Sequence, residues 1–268
     1  MKNPKTLYFR DWAEVVLARS LARPQTVHGY RSWVAHAEPH IGSVPVGKIT
    51  SDHIEEVLAA GRAAGLSPKS LSNMLGCLRH ILRRAGSTAG AGLRVRVPDP
   101  DRRPLGVSEA GQLRLALVPG QPCDDAVLAL LGTGLRLAEL ERLRPRDIVD
   151  GGLHVSCTDA GATKSGRARI VDPADYALPA IQRLLASGMP ARRTLRRRLD
   201  QLCLDACVPR IRVQDLRHTR FTLLLLAGVP ALYVCAQAGH HDPSYTMKRY
   251  GHVVVASPEE RARWSGAA

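Results

Sequence analysis

Four short strings in the second half of the chain carry side chains suited to work on an oxyanion. In GTGLRLAEL, Arg136 stands just behind Gly134 at an expected helix start, where a guanidinium and backbone amides can converge on one phosphate. In TKSGRAR, Lys164 occupies an expected turn between two strands, and in QDLRHTRFT, Arg217 lies in the first turns of another helix. The last string, AGHHDPSYTMKRYGH, adds His240 and Tyr250, an imidazole and a phenol. Among 38 lysines and arginines any single cation is ordinarily solvated or ion-paired, so the signal lies in the set and its order.

These side chains must be positioned by the elements around them, and the second half reads as mostly helical. Ser108 is placed to cap a helix through about Val118; Asp124 to Leu131 and Leu135 to Leu143 follow, separated by Gly132 and Gly134. Leu153, Val155 and Cys157 alternate, and after a turn containing Gly and Ser, Arg167 to Val171 alternate again, which predicts a small antiparallel sheet. Helices resume near Pro179 to Ala186, Thr194 to Ala206, Val213 to Ala227, Pro230 to Ala238 and Ser244 to Tyr250.

The first hundred residues predict four amphipathic helices. They run near Tyr8 to Leu21, after Pro24 through Val27, Tyr30, Trp33 and Val34 to a stop at Ile41 to Gly47, from about Ser51 to Ala64 behind the capping candidates Thr50 and Ser51, and from Ser67-Pro68 through Leu71, Leu75, Leu78, Ile81 and Leu82. Between Gly86 and Pro104, glycine, proline and charge replace apolar periodicity, so a domain boundary is expected there. Arg94, Arg96, Arg102 and Arg103 in that stretch either grip phosphates where the linker crosses a duplex or stay solvated.

Composition names the kind of partner. The 268 residues carry a formal net charge of +14, with 32 arginines against 6 lysines. The excess is shared: 14 basic and 7 acidic side chains up to residue 100, 24 and 17 beyond it. Equal shares point to one polyanion facing both parts, with nucleic acid the first candidate. Six scattered cysteines without a secretory signal read as reduced thiols in a cytosol. Cys203 and Cys207 could share a helix face, but no second CxxC or HxxxH supplies further ligands, so no metal is expected. The longest apolar run, Phe221 to Val229, falls short of the roughly 20 residues of a membrane span.

Taken in order, the four strings resemble those of the tyrosine recombinase or phage integrase family. The motif resemblance covers residues 105 to 252, and the four-helix beginning resembles that family's core-binding domain by pattern. It implies a mainly α chain: a four-helix, SAM-like DNA-binding domain over residues 1–88, a linker over 89–104, and a mostly helical α+β catalytic domain with a small antiparallel sheet and a C-terminal tail over 105–268. By position, Arg136 matches the first catalytic arginine and Glu139 its usual acidic neighbour, Lys164 the hairpin lysine, Arg217 the second arginine, His240 the late histidine and Tyr250 the nucleophile. Thr246, four residues before Tyr250, also fits. One position departs: where the family usually has histidine, three residues before the second arginine, this chain has Gln214.

The chemistry such a site would perform is attack of a phenol on a DNA phosphate, with charge moving onto nonbridging oxygens that water-excluded cations stabilise. Arg136 and Arg217 would supply two guanidinium forks. Tyrosine titrates near pH ~10, so its proton leaves during attack or neighbouring cations favour its ionised form. The resemblance implies that Lys164 protonates the departing sugar oxygen, that a 3′-phosphotyrosyl link stores the backbone bond, and that no cofactor is needed. No GxxxxGK[ST] string or metal-carboxylate cluster is present in the sequence.

Gln214 can donate a hydrogen bond to a phosphate but cannot shuttle a proton, so cleavage at reduced rate is expected. His218, about 100° around a helix from Arg217, would not replace it and is as well explained by packing beneath the site. The implied partners are duplex DNA at specific sites, further copies in a tetramer on two sites, and an accessory DNA-bending protein, in a bacterial host cytoplasm with no membrane. The 18 residues after Tyr250 are expected to reach a neighbouring subunit or to pack in cis, and an arm-binding module is expected to be absent because only about seven residues precede the first helix. Two rivals stand: a DNA-binding regulator of the same fold that has lost turnover, and a type IB topoisomerase. These residues do not separate phage integrase from resolvase or transposon recombinase.

Overall fold

The computed structural model describes residues 3–98, 103–156 and 168–239. The chain divides into two compact units, residues 1–100 and 101–268.

In the first unit, α1 (Phe9–Ala18), α2 (Pro24–Ile41), α3 (Ser51–Ala63) and α4 (Pro68–Arg83) realise the four helices read from the sequence. Prolines open α2 and α4, where a missing amide costs nothing. Thr50 and Ser67 cap α3 and α4 by accepting from the amides of His53 and Ser70. Phe9, Ile41, Ile54, Met74, Leu78 and Ile81 form the buried centre, and Trp12 joins it by donating its indole N–H to the Ile81 carbonyl at 3.1 Å.

Part of the stretch expected to be linker is packed. Ala89, Leu93 and Val95 lie on the core of the first unit. The Ser51 hydroxyl accepts from the Gly90 amide at 3.0 Å, and the Arg79 guanidinium donates to the carbonyls of Gly90 (2.7 Å), Ala91 (3.3 Å) and Leu93. A segment without a ladder still needs partners for its carbonyls, and one arginine fork supplies three of them.

The second unit contains α5 (Val107–Leu115), α6 (Pro122–Thr133), α7 (Leu137–Leu140), β1 (Ile148–Val149), β2 (Gly152–Val155), β3 (Arg169–Val171), α8 (Ala177–Ser187), α9 (Arg192–Asp205), α10 (Val213–Leu226) and α11 (Ala231–Ala238). It is mainly helical with a small antiparallel sheet, as expected from the sequence. α6 is its axis, buried continuously from Asp124 to Thr133, as an all-round apolar helix must be. The two acids at its beginning are answered there. Asp124 accepts from the Val118 amide and a two-pronged Arg198, and Asp125 from the Gly120 amide and Arg183. α8 lies against the far end of α6, so close that a Cβ on Gly132 would sit 2.5 Å from that of Ala177.

Three details differ from the sequence reading. The sheet has three strands, ordered β1-β2-β3, because Asp150 (φ 49°) and Gly151 (φ 78°) turn a tight hairpin before β2. β1, only two residues long, shows no alternation to find. α5 is capped from Gly106, whose amide donates to Glu109 at 2.8 Å, and Ser108 lies inside the helix. Cys203 and Cys207 do not share a helix face, because α9 stops at Asp205. There the amides of Cys207 and Val208 turn back to the carbonyls of Leu204 and Cys203, with Cys207 left-handed at φ 53°.

Among the described residues no helix is long and apolar enough to cross a membrane, and no group of three or more His, Cys, Asp or Glu side chains could hold a metal ion.

Candidate active site

The site is organised by the ends of two helices. α6 closes on Gly134, left-handed at φ 68°, where a Cβ would stand 2.7 Å from the ring of Phe221 on α10. Thr133 braces this turn, its hydroxyl donating to the Ala129 carbonyl and accepting from the Leu135 amide. One turn before Phe221 on the same helix is Arg217, only 2% exposed, its guanidinium 4.8 Å from the centre of the Phe221 ring. Its two terminal nitrogens donate to the carbonyls of Gly134 and Ala238. Arg217 therefore joins the end of α6, two residues before Arg136, to the end of α11, two residues before His240.

Arg136 caps α7 together with Glu139. The Arg136 amide donates to one Glu139 oxygen at 2.9 Å and its guanidinium to the other at 2.7 Å, so the expected open amide at this helix start is in fact occupied by the neighbouring carboxylate. The Arg136 side chain is 22% exposed while that of Glu139 is 2% exposed. Burial alone would push the Glu139 carboxyl up. The hydrogen bonds and charge of Arg169, with the hydrogen bonds of Arg136, override that and hold it down to about 2.

Arg169 is the residue that sequence reasoning missed. It lies on β3, opposite Val155 and on the same face as the buried Val171, and donates to both Glu139 oxygens (2.7 and 3.3 Å) and, through Nε, to the Gln237 carbonyl at 2.9 Å. Gln237 in turn exchanges two hydrogen bonds with Asp172: its side-chain amide donates to the carboxylate at 2.9 Å, and the Asp172 backbone amide donates to its side-chain oxygen at 2.8 Å. The Tyr233 hydroxyl donates to the same carboxylate. An arginine in the inward-facing register of a short strand was the signal available in the sequence.

Of the residues singled out from the sequence, Arg136, Glu139 and Arg217 are brought together through the Gly134 turn. Gln214 is exposed one helical turn before Arg217, and His218 is half-buried. Lys164, His240, Thr246 and Tyr250 lie outside the described residues, as does Arg102. The linker arginines are differently disposed. Arg94 folds back to donate to the carbonyls of Ala91 and Leu93, Arg96 is exposed, and Arg103 is held in a two-pronged pair with Glu109 at 2.5 and 2.6 Å. That Arg103 hydrogen bond, with one from the Gly106 amide, holds the Glu109 carboxyl down to about 2.

A model for the phage integrase family matches residues 122–256. The tyrosine recombinase XerC of Methylobacterium sp. (strain 4-46) is 31% identical over 195 residues, 63% of this chain and 60% of that protein. XerC of Xanthomonas campestris pv. campestris (strain B100) is 32% identical over 152 residues, 53% of this chain and 46% of that protein. The chain thus spans about half to three-fifths of the length of these curated relatives. In fold it is similar to the Tn1549 transposon integrase in complex with transposon right end DNA, with a TM-score of 0.76, 20% identity and coverage of 98% of this chain and 100% of that one. The family match runs over half of the sequence and takes in α6, α7, the sheet and the joint made by Arg217, so the chain belongs to the phage integrase family, the tyrosine recombinases.

Proposed function

We propose that this protein is a site-specific DNA recombinase that breaks and rejoins strands through a 3′-phosphotyrosyl intermediate. The observation that carries the reading is the anchoring of Arg217 to the carbonyls of Gly134 and Ala238, which ties the Arg136 turn to the segment leading into His240 and Tyr250. In this reading Arg136 and Arg217 stabilise charge on the nonbridging oxygens, and a guanidinium fixed before the reaction pays no reorganisation cost during it. Tyr250 attacks the phosphorus. The 5′-oxygen leaves with a proton from Lys164, and His240 hydrogen-bonds the phosphate. The 5′-hydroxyl of a second site then attacks the phosphotyrosine and restores the backbone bond, so no external energy source enters.

Residues 1–88 would act as the core-binding module and 105–268 as the catalytic one, joined across 89–104, on duplex DNA in a bacterial cytoplasm. Four copies would assemble on two sites, with an accessory DNA-bending protein assisting. Gln214 favours a second reading, a DNA-binding regulator with little or no turnover, because an amide cannot exchange a proton near neutrality.

Trapping separates the two. Nicked duplexes from a randomised pool, which lose the leaving strand on cleavage, are incubated with wild type and with Tyr250→Phe. The recombinase reading expects a detergent-resistant adduct with wild type alone. Wild type that binds duplex but yields no adduct establishes the regulator instead, and relaxation of supercoils by monomers without site preference establishes a topoisomerase.

A further inference from the structure

Arg169 has no part in the chemistry just described, yet it is 7% exposed, charged, and placed where three elements meet. A guanidinium taken out of water is tolerated only when its N–H groups are answered, and here the answers come from separate parts of the chain: both oxygens of Glu139 on α7 and the carbonyl of Gln237 in the last turn of α11. We propose that Arg169 is a positioning residue for strand cleavage, one that sets Arg136 and the segment entering His240 in a common frame without touching DNA. The inference rests on the recombinase reading above.

Two features give the joint a single solution. On the α7 side, the carboxylate that Arg169 holds is the same one that fixes both the amide and the guanidinium of Arg136, so displacing Arg169 displaces the first arginine. On the α11 side, the Arg169 side chain runs across the backbone of Gly239, where a Cβ would come within 3.0 Å of its Cδ and where φ is 59°. His240 is the next residue in sequence. The reciprocal hydrogen bonds of Gln237 and Asp172 prevent α11 from sliding along β3 past this contact. A lysine would keep the charge but, as a single compact ammonium, could not serve two carboxylate oxygens and a carbonyl in this planar arrangement.

The loss should therefore appear in the chemical step and not in affinity. Arg169→Lys is compared with wild type for duplex affinity, thermal midpoint, and rate of adduct formation at saturating nicked duplex. The expected result is affinity within about threefold and an adduct rate about 100-fold lower, the scale of a reacting group misplaced by about 1 Å. A rate within about twofold of wild type overturns the proposal, and so does a rate loss that merely follows the fraction unfolded or the fraction bound. Should the lysine variant not fold, Gly239→Ala, which keeps every side chain of the network but crowds Arg169, is read by the same three measurements and the same criteria. Absence of an adduct with wild type removes the recombinase reading and this one together, a failure seen without any variant.

Discussion

Replacing Glu139 by glutamine tests the electrostatic centre of the site with little change in shape. The carboxyl lies at about 2 against an ordinary glutamate value of about 4.3, and at about 1.4 kcal/mol per pH unit this displacement corresponds to about 3 kcal/mol. An independent route gives the same size. Glu139→Gln leaves the Arg169 guanidinium buried without its counter-charge, and breaking a buried pair typically costs about 3–5 kcal/mol. For a unit of this size the thermal midpoint should fall by roughly 6–12 °C at pH 7. The pH dependence has a definite sign. Because the folded value is depressed, the contribution is complete above the unfolded value near 4.3 and disappears as pH falls through about 2. Wild type and Glu139→Gln should thus differ by a constant amount above about pH 5 and converge between pH 4 and 2 in urea titrations. Equal stability at pH 7, or a gap that persists at pH 2, would refute the assignment of Glu139 as the shared anchor of two arginines.

Three further outcomes are expected. Gly134→Ala combines φ 68° with a Cβ 2.7 Å from Phe221, so it should cost about 1–3 kcal/mol in urea unfolding, and an unchanged midpoint would contradict the close approach of α6 to α10. Gln214→His restores an ionisable donor one turn from Arg217, and adduct formation should proceed at least as fast as in wild type; a large loss would show that the amide itself is required. Burial pushes the Cys77 thiol up to about 12, so a disulfide reagent at pH 8 should label it only on unfolding, while the exposed Cys207 reacts in the native protein. Immediate labelling of Cys77 would contradict its burial.

The elements were legible wherever a local rule decided them. Thr50 and Ser67-Pro68 announced helix starts, and the pair Gly132 and Gly134 announced a break after α6, read two residues early because Gly132 stays helical and only Gly134 takes the positive φ. Arg136, Glu139 and Arg217 were legible as a set through their order. The rest was hidden because it depends on distance in space. Arg79, ordinary in a helical pattern, reaches carbonyls 11 to 14 residues away and so converts expected linker into packed chain. Arg169 read as one more cation in an expected strand, since nothing near it in sequence indicates that Glu139, thirty residues earlier, and Gln237, sixty-eight later, converge on it. β1 was missed for a different reason: two residues are too few to show alternation, and the Asp150-Gly151 turn that pairs them with β2 was not read from the sequence.

The arginine excess then takes on a second meaning. A helix ends with carbonyls that lack partners and carry the negative end of its dipole. In this protein Gly134, which closes α6, and Gln237 and Ala238, in the last turn of α11, present such carbonyls, and the groups that answer them include Arg217 and Arg169. A fork can satisfy carbonyls from two helices at once, which a lysine ammonium does far less well. Other arginines, Arg183 and Arg198, balance acids at the beginning of α6. Part of the arginine excess is therefore turned inward: Arg217, 2% exposed, and Arg169, 7% exposed, both answer carbonyls at the end of α11. The two guanidinium groups assigned to the phosphate are thus fixed in different ways, Arg217 by the backbone carbonyls of Gly134 and Ala238 and Arg136 by the Glu139 carboxylate.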